Sequence, residues 1–259
     1  MRLSEYSDVN NPMPPSYTLE KIKFATDPQT FERAVDLYES GKVTKFKDGF
    51  RGYSATILGG QPYNVSVEAR RFDHGNCDCY LGQKDELCKH LVALAIHAVL
   101  RGEKLTVEDK EMLTGPECSE NLGELTKEEL SSVKNSITGA ARYIKSYNGP
   151  SRKWFTYQNS LDEGCNRLSK IVSDLPVSKQ TAKLLIDLLL RIDKKLCYGG
   201  VDDSNGTVGG FVEGVVEMLK EYARLEPSCI NAFKNLADKE TCFGWEAPLV
   251  EMFDSMSSD

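Results

Sequence analysis

Three cysteines and a histidine fall within fourteen residues: Cys77-Asp78-Cys79, then eight residues, then Cys88-Lys89-His90. Four soft or borderline donors of the Cys3His type suit a tetrahedral zinc ion, and this grouping constrains the local fold. In extended backbone residues i and i+2 point to the same side, so Cys77 and Cys79 can both aim at one ion while Asp78 faces away. Within a helix the same two positions would diverge by about 200°. The spacing therefore predicts a strand or extended segment at Cys77 and Cys79, a loop containing Gly82, and a helix that begins at Cys88, with His90 in its first turn. The positive end of that helix would lie near the thiolates. His74, three residues before Cys77, is an alternative fourth ligand; His90 is favoured because it completes the C-x-H pair.

The chain of 259 residues carries eight cysteines, too few for a disulfide scaffold. Cys118, Cys165, Cys197, Cys229 and Cys242 are dispersed, show no second metal spacing and read as small hydrophobes. The first twenty residues are polar and proline-rich with no apolar h-region, which reads as a cytoplasmic chain with reduced thiols. The longest apolar run, residues 91–96, falls far short of the ~20 residues a membrane span needs. A net charge of −7 argues against a protein that coats nucleic acid with its whole surface.

Residues 1–26, with Pro12, Pro14 and Pro15, read as a flexible tail. Asp27-Pro28 supplies an N-cap and a first-turn proline, and Phe31, Ala34, Val35 and Tyr38 follow at helical spacing up to Gly41. The period then changes to two. Tyr53, Ala55 and Ile57 alternate with polar residues, Gly59-Gly60-Gln61-Pro62 makes a turn, and Tyr63, Val65, Val67 and Ala69 alternate again. This is a hairpin, to which residues 42–46 can add a strand. His74-Gly75-Asn76 breaks the pattern, and residues 90–101 form a buried helix that Gly102 ends.

Residues 107–125 read as an interdomain linker, and everything beyond reads as helix. Thr126-Lys127-Glu128-Glu129 is a capping box for a helix that Asn148-Gly149-Pro150 stops. Further helices are expected over residues 153–174, after Ser178, over 208–219 and from Pro227-Ser228, with a short segment after Trp245. The expected fold class is α+β: a small zinc-bound β-hairpin/helix domain over residues 27–106, followed by an all-α domain over 126–259.

The C-x-C, spacer, C-x-H pattern resembles the SWIM zinc finger. Gly41-Lys42-Val43, Arg51-Gly52, Tyr63-x-Val65-x-Val67 and Cys88-Lys89-His90-Leu91-Val92-Ala93-Leu94 stand where that family places its hairpin and helix start, so the resemblance covers about residues 40–100. A second resemblance joins Val201-Asp202-Asp203-Ser204-Asn205-Gly206, and the stretch from Ala237-Asp238 to Trp245, to the helical tails of prokaryotic SWIM proteins. The resemblance implies Cys77, Cys79, Cys88 and His90 as zinc ligands. It also implies DNA or protein binding, and partnership with a SWI/SNF-type helicase-like ATPase, which would make this chain an accessory subunit.

The other motifs give little chemistry. Asp202 to Gly206 fails the EF-hand template, because Val201 and Val212 would occupy positions 1 and 12. It reads as a capped interhelical loop, and His97 reads as a packed side chain. No G-x-S-x-G, P-loop or G-x-G-x-x-G occurs, and a closed Cys3His site leaves zinc no open position, so no enzyme is expected. Between Gly41 and Arg71 the bases Lys42, Lys45, Lys47, Arg51, Arg70 and Arg71 outnumber Asp48 and Glu68 by four, with Phe46, Phe50, Tyr53 and Phe72 nearby. A basic, aromatic β-surface of this kind can hold a nucleic-acid backbone. The competing expectation is a protein–protein scaffold whose zinc finger is purely structural.

Overall fold

The computed structural model describes residues 14–111 and 115–256 and is α+β, with one four-stranded antiparallel sheet and otherwise mostly helix. It divides into two compact units, with the boundary between Met112 and Leu113.

In the first unit, α1 (Leu19–Phe24) and α2 (Pro28–Glu39) precede the sheet. The Asp27 carboxylate accepts the Thr30 N–H at 2.9 Å, which satisfies one orphan donor at the start of α2. Gly41, at φ +66°, lets the chain turn away after Ser40. The strands β1 (Val43–Asp48), β2 (Gly52–Leu58), β3 (Pro62–Glu68) and β4 (Gly75–Cys77) lie side by side in sequence order. Tyr53 pairs with Val67 and Ala55 with Val65, so the apolar half of each alternation lies on one buried face. Against that face and α2 packs α3 (Lys89–Leu100). Leu91 to Ile96 are all buried in α3, and each large aliphatic side chain so placed stabilises the fold by about 1.5–3 kcal/mol. A short α4 (Val107–Lys110), opened by a Thr106–Asp109 capping box, follows.

The second unit contains α5 (Lys127–Ala140), α6 (Trp154–Ser173), α7 (Lys179–Cys197), α8 (Thr207–Leu225), a 3-10 segment (Pro227–Leu236) and α9 (Ala247–Met256). Its core joins Leu161 and Leu168 of α6, Leu185, Leu189 and Ile192 of α7, and Val208, Val212, Val215 and Leu219 of α8.

Several sequence expectations need correction. Of the expected tail, residues 1–13 lie outside the described residues, but the rest is ordered: Tyr17, Ile22 and Phe24 are buried, and the Ser16 N–H donates to the Ala69 carbonyl at 2.8 Å. A six-residue helix has no stability of its own and forms because its apolar residues find a core, which local propensity does not reveal. Residues 74–76 do not simply break the sheet, since Gly75–Cys77 forms β4 on β3; three residues are too few to display alternation. The boundary between the units falls within the stretch 107–125 read as a linker, but the described part of that stretch is not without structure. Besides α4, residues 119–123 are fastened to the α6–α7 connection: Ser119 donates to the Leu175 carbonyl at 2.6 Å, and Val177 N–H to the Asn121 carbonyl at 2.7 Å. The first helix of this unit stops at Ala140, although Ile144 remains buried beyond it. The segment from Pro227 is 3-10 and not α. Finally, Cys197 and Cys242 form a disulfide, so not all eight cysteines are reduced; their 45-residue separation carries no local signal.

Ser178 caps α7, accepting the Thr181 N–H while Thr181 Oγ1 accepts the Ser178 N–H, each at 3.2 Å. Ser178→Ala is expected to lower stability by about 1 kcal/mol, and Ser178→Gly by only a few tenths. A urea titration followed by circular dichroism should show this as a lower midpoint at unchanged slope.

Candidate metal centre

Each donor of the cluster is positioned by a different local device. Cys77 ends β4 directly opposite Val65, so its side chain shares the buried face of β3. The next residue faces the other way: the Asp78 carboxylate accepts the backbone N–H of Asn64 at 3.1 Å and its side-chain amide at 3.0 Å. Cys79 then returns inward and is buried. Its sulfur accepts the Gly82 N–H at 3.3 Å, at the start of a 3-10 turn (Gly82–Lys84) that reverses the chain. Gly82 is required there, because a Cβ at this position would stand 2.3 Å from the Cys77 carbonyl oxygen and 2.6 Å from Cys77 Cβ. Cys88 is the N-cap of α3, with extended backbone at φ −117° and ψ 158°, and His90 lies in the first turn.

The result is one buried group: the donor atoms of Cys77, Cys79, Cys88 and His90 all lie within 4.8 Å of one another and can hold a metal ion. His90 presents Nδ1 to the sulfurs, 3.7 Å from Cys77 Sγ and 4.0 Å from Cys88 Sγ. Its Nε2 is buried with no hydrogen-bond partner among the described residues, and the Tyr63 ring stacks on the imidazole at 4.3 Å. With an ion on Nδ1 the imidazole proton would reside on Nε2, so the ring could not turn over without losing its ligand role.

The Cys88 thiol is pulled well below the ordinary thiol range, chiefly by the hydrogen bond it receives from Cys77, with further help from His90 and the Leu91 N–H against the opposing effect of burial. The Cys77 thiol is pushed far up because it donates that bond and is itself buried. Cys88, at the helix start, is thus the thiol of the pair whose ionised form is the more favoured.

His74 is outside this group; it lies in the turn where its carbonyl accepts the Glu68 N–H at 3.0 Å. His97 packs against Phe46 at 4.6 Å and Tyr38 at 5.8 Å. In the 202–206 loop, Asp203 accepts the Val208 and Gly209 N–H groups, both at 2.8 Å, and so caps α8.

The six basic residues do not make one patch. Lys45 and Lys47 line a shallow groove of about 390 Å³ on the outer sheet face, with Ser54, Thr56, Asn64, Ser66 and Asn76. A bulge between Thr44 and Lys47, with Lys45 at φ +51°, brings both lysines to it. Lys42 stands before β1 at one end of the sheet, while Arg51, Arg70 and Arg71 lie at the other end, where Arg71 is paired to Asp73 at 2.7 Å. The aromatic surface expected around them is mostly internal. Tyr53 and Phe72 are core residues, Phe46 is stacked on Tyr53 beneath the Arg101 guanidinium, and Phe50 is exposed. Alternation alone placed Tyr53 inward, but Phe72, beyond the strand, had no such signal. The Tyr63 stack and the close seat of Gly82 had none either, since the first depends on how β3 meets α3 and the second on how the 3-10 turn meets β4.

No family model matches the chain, and no curated protein or solved structure matches it significantly. Among the described residues no helix is long and apolar enough to cross a membrane.

Two substitutions test the cluster. Cys88→Ser should abolish stoichiometric metal binding, as read by elemental analysis of the purified protein. Gly82→Ala keeps all four donors but drives a methyl group into Cys77; a competition titration with a chromophoric chelator should find the metal bound about 10–100-fold more weakly.

Proposed function

We propose that the first unit is a SWIM-type zinc module, and that the chain is a non-enzymatic subunit that binds nucleic acid across the outer sheet face and works beside a protein partner. Donor geometry supports zinc. Tetrahedral zinc with sulfur at about 2.3 Å and nitrogen at about 2.0–2.1 Å places sulfurs about 3.8 Å apart and sulfur from nitrogen about 3.5 Å. The sulfur–nitrogen distances of 3.7 and 4.0 Å are close to this before any ion draws the ligands together. Four protein donors close the coordination shell, so the ion is structural, and its binding energy is folding energy for the sheet and α3.

The observation that carries the nucleic-acid reading is the pair Lys45 and Lys47 on a groove that also presents the hydroxyl and amide side chains of Ser54, Thr56, Asn64, Ser66 and Asn76 beside Ala55 and Val65. Cations beside neutral hydrogen-bonding groups fit a phosphate backbone, which needs charge neutralisation and positioning but no base identity. With the aromatic rings largely inside, the surface offers little for stacking bases, which favours backbone contact over base capture. The resemblance to SWIM proteins points to a helicase-like ATPase as the class of partner, and this chain carries no P-loop of its own.

Lys45→Glu with Lys47→Glu tests the reading. The wild type should bind short oligonucleotides weakly, with a log–log salt slope of about −1.4 for single strands or −1.8 for duplex if both lysines neutralise a phosphate. The double variant should lose that binding for all sequences alike while keeping its metal. Absence of binding by the wild type at low salt would instead favour a protein scaffold with a structural zinc ion.

A further inference from the structure

Sulfur chemistry of a second kind is built into the helical unit. Cys197 is the last residue of α7, and Cys242 lies in the non-helical stretch before α9. Their Cα atoms are 5.6 Å apart, within the range a disulfide spans without moving the backbone. One turn before Cys197, the buried Asp193 carboxylate holds the same stretch: Oδ1 accepts the Cys242 N–H at 2.8 Å and the Trp245 Nε1–H at 3.1 Å. Its Oδ2 lies 3.7 Å from Cys197 Sγ, where a reduced thiol can donate to it. Trp245 is itself buried and fixes the far end of the stretch. These contacts do not involve the sulfur–sulfur bond, so they keep Cys242 over Cys197 when the bond is open.

We propose that Cys197 and Cys242 are a reversible thiol–disulfide site that, when oxidised, staples the segment leading into α9 onto the end of α7. Three observations carry this. The two sulfurs are brought together by an anchor that survives reduction, so closure is intramolecular and fast compared with capture of a second external thiol. Cys242 is exposed and Cys197 half-buried, so the pair is open to attack, as labile disulfides are and buried structural ones are not. The remaining described cysteines are free, including the three that converge with His90. On the metal reading alone, those three must stay reduced, so the chain works where thiols persist and an accessible disulfide exchanges.

The chemistry needs a low-molecular-weight disulfide of the glutathione class as oxidant. The exposed Cys242 gives its proton to solvent, and its thiolate attacks one sulfur of that disulfide. The external sulfur–sulfur bond breaks, a mixed disulfide forms on Cys242, and the departing thiolate takes up a proton. Cys197 then attacks the Cys242 sulfur, a bond forms between the two protein sulfurs, and the second external thiol leaves with the proton that Cys197 loses. Two protein thiols are oxidised and one external disulfide is reduced to two thiols; the reverse sequence opens the bond.

The test uses the full chain equilibrated in glutathione buffers from fully reduced to predominantly oxidised, quenched in acid, alkylated and mapped by peptide mass spectrometry. The Cys197 and Cys242 peptides should pass together from alkylated to cross-linked as the oxidised fraction rises, with the Cys77, Cys79 and Cys88 peptides unchanged in the metal-loaded protein. A pair that stays linked in the most reducing buffer is a permanent bond, and one that stays alkylated in the most oxidising buffer does not close; either result overturns the proposal. The order of attack is read from single variants. Cys197→Ser should trap glutathione on Cys242, whereas Cys242→Ser should leave Cys197 largely unmodified; equal capture by Cys197 would contradict the assigned order.

Discussion

The structure of the first unit depends on how three thiols and an imidazole are accommodated where sheet meets helix. Cys77, Cys79, Cys88 and His90 are all buried, and they occupy space that an ordinary small domain would fill with aliphatic side chains. Left to themselves they are a poor core, because a buried polar nitrogen, Nε2 of His90, has no hydrogen-bond partner. A divalent cation changes the balance. A bound cation would neutralise most of the thiolate charge, fix the imidazole tautomer and tie β4, the 3-10 turn and α3 to one point. Two of these elements are very short, since β4 has three residues and the 3-10 turn has three.

The helical unit is stabilised differently. Its long amphipathic helices bury a continuous set of Leu, Ile and Val side chains, and the starts of α5 and α7 are closed by capping boxes. Here sulfur is not needed to make a core, and the one cross-link lies near the surface where solvent reaches Cys242. The same element thus plays two parts in one chain. Buried beside a helix start, it forms a group that can hold a metal ion; near the surface, beside a buried carboxylate, it forms a cross-link.

What the sequence discloses follows from how local each signal is. The i, i+2 rule puts Cys77 and Cys79 on one side of an extended segment, and Asp78 faces outward to bond Asn64. Cys88 at the helix start and His90 in the first turn follow from a C-x-H placed before a strongly apolar run. The Asp27, Thr126 and Ser178 caps are equally local. By contrast, α1 owes its existence to burial of Ile22 and Phe24, and residues 119–123 owe their order to backbone bonds with a segment more than fifty residues away. Neither leaves a periodic trace. The basic stretch shows the same limit. Counting charges finds six residues, but only a bulge between Thr44 and Lys47 decides that Lys45 and Lys47 share a groove, and only the fold shows that Arg71 is paired with Asp73.

The central claim is that one zinc ion, held by three thiolates and the Nδ1 of His90, organises the sheet and α3. X-ray absorption at the zinc edge of the purified full-length protein tests it most directly. The account predicts one zinc per chain with a first shell of three sulfurs at about 2.3 Å and one nitrogen at about 2.0–2.1 Å. A shell containing two or more oxygen donors, or a folded protein with no stoichiometric metal, would contradict it.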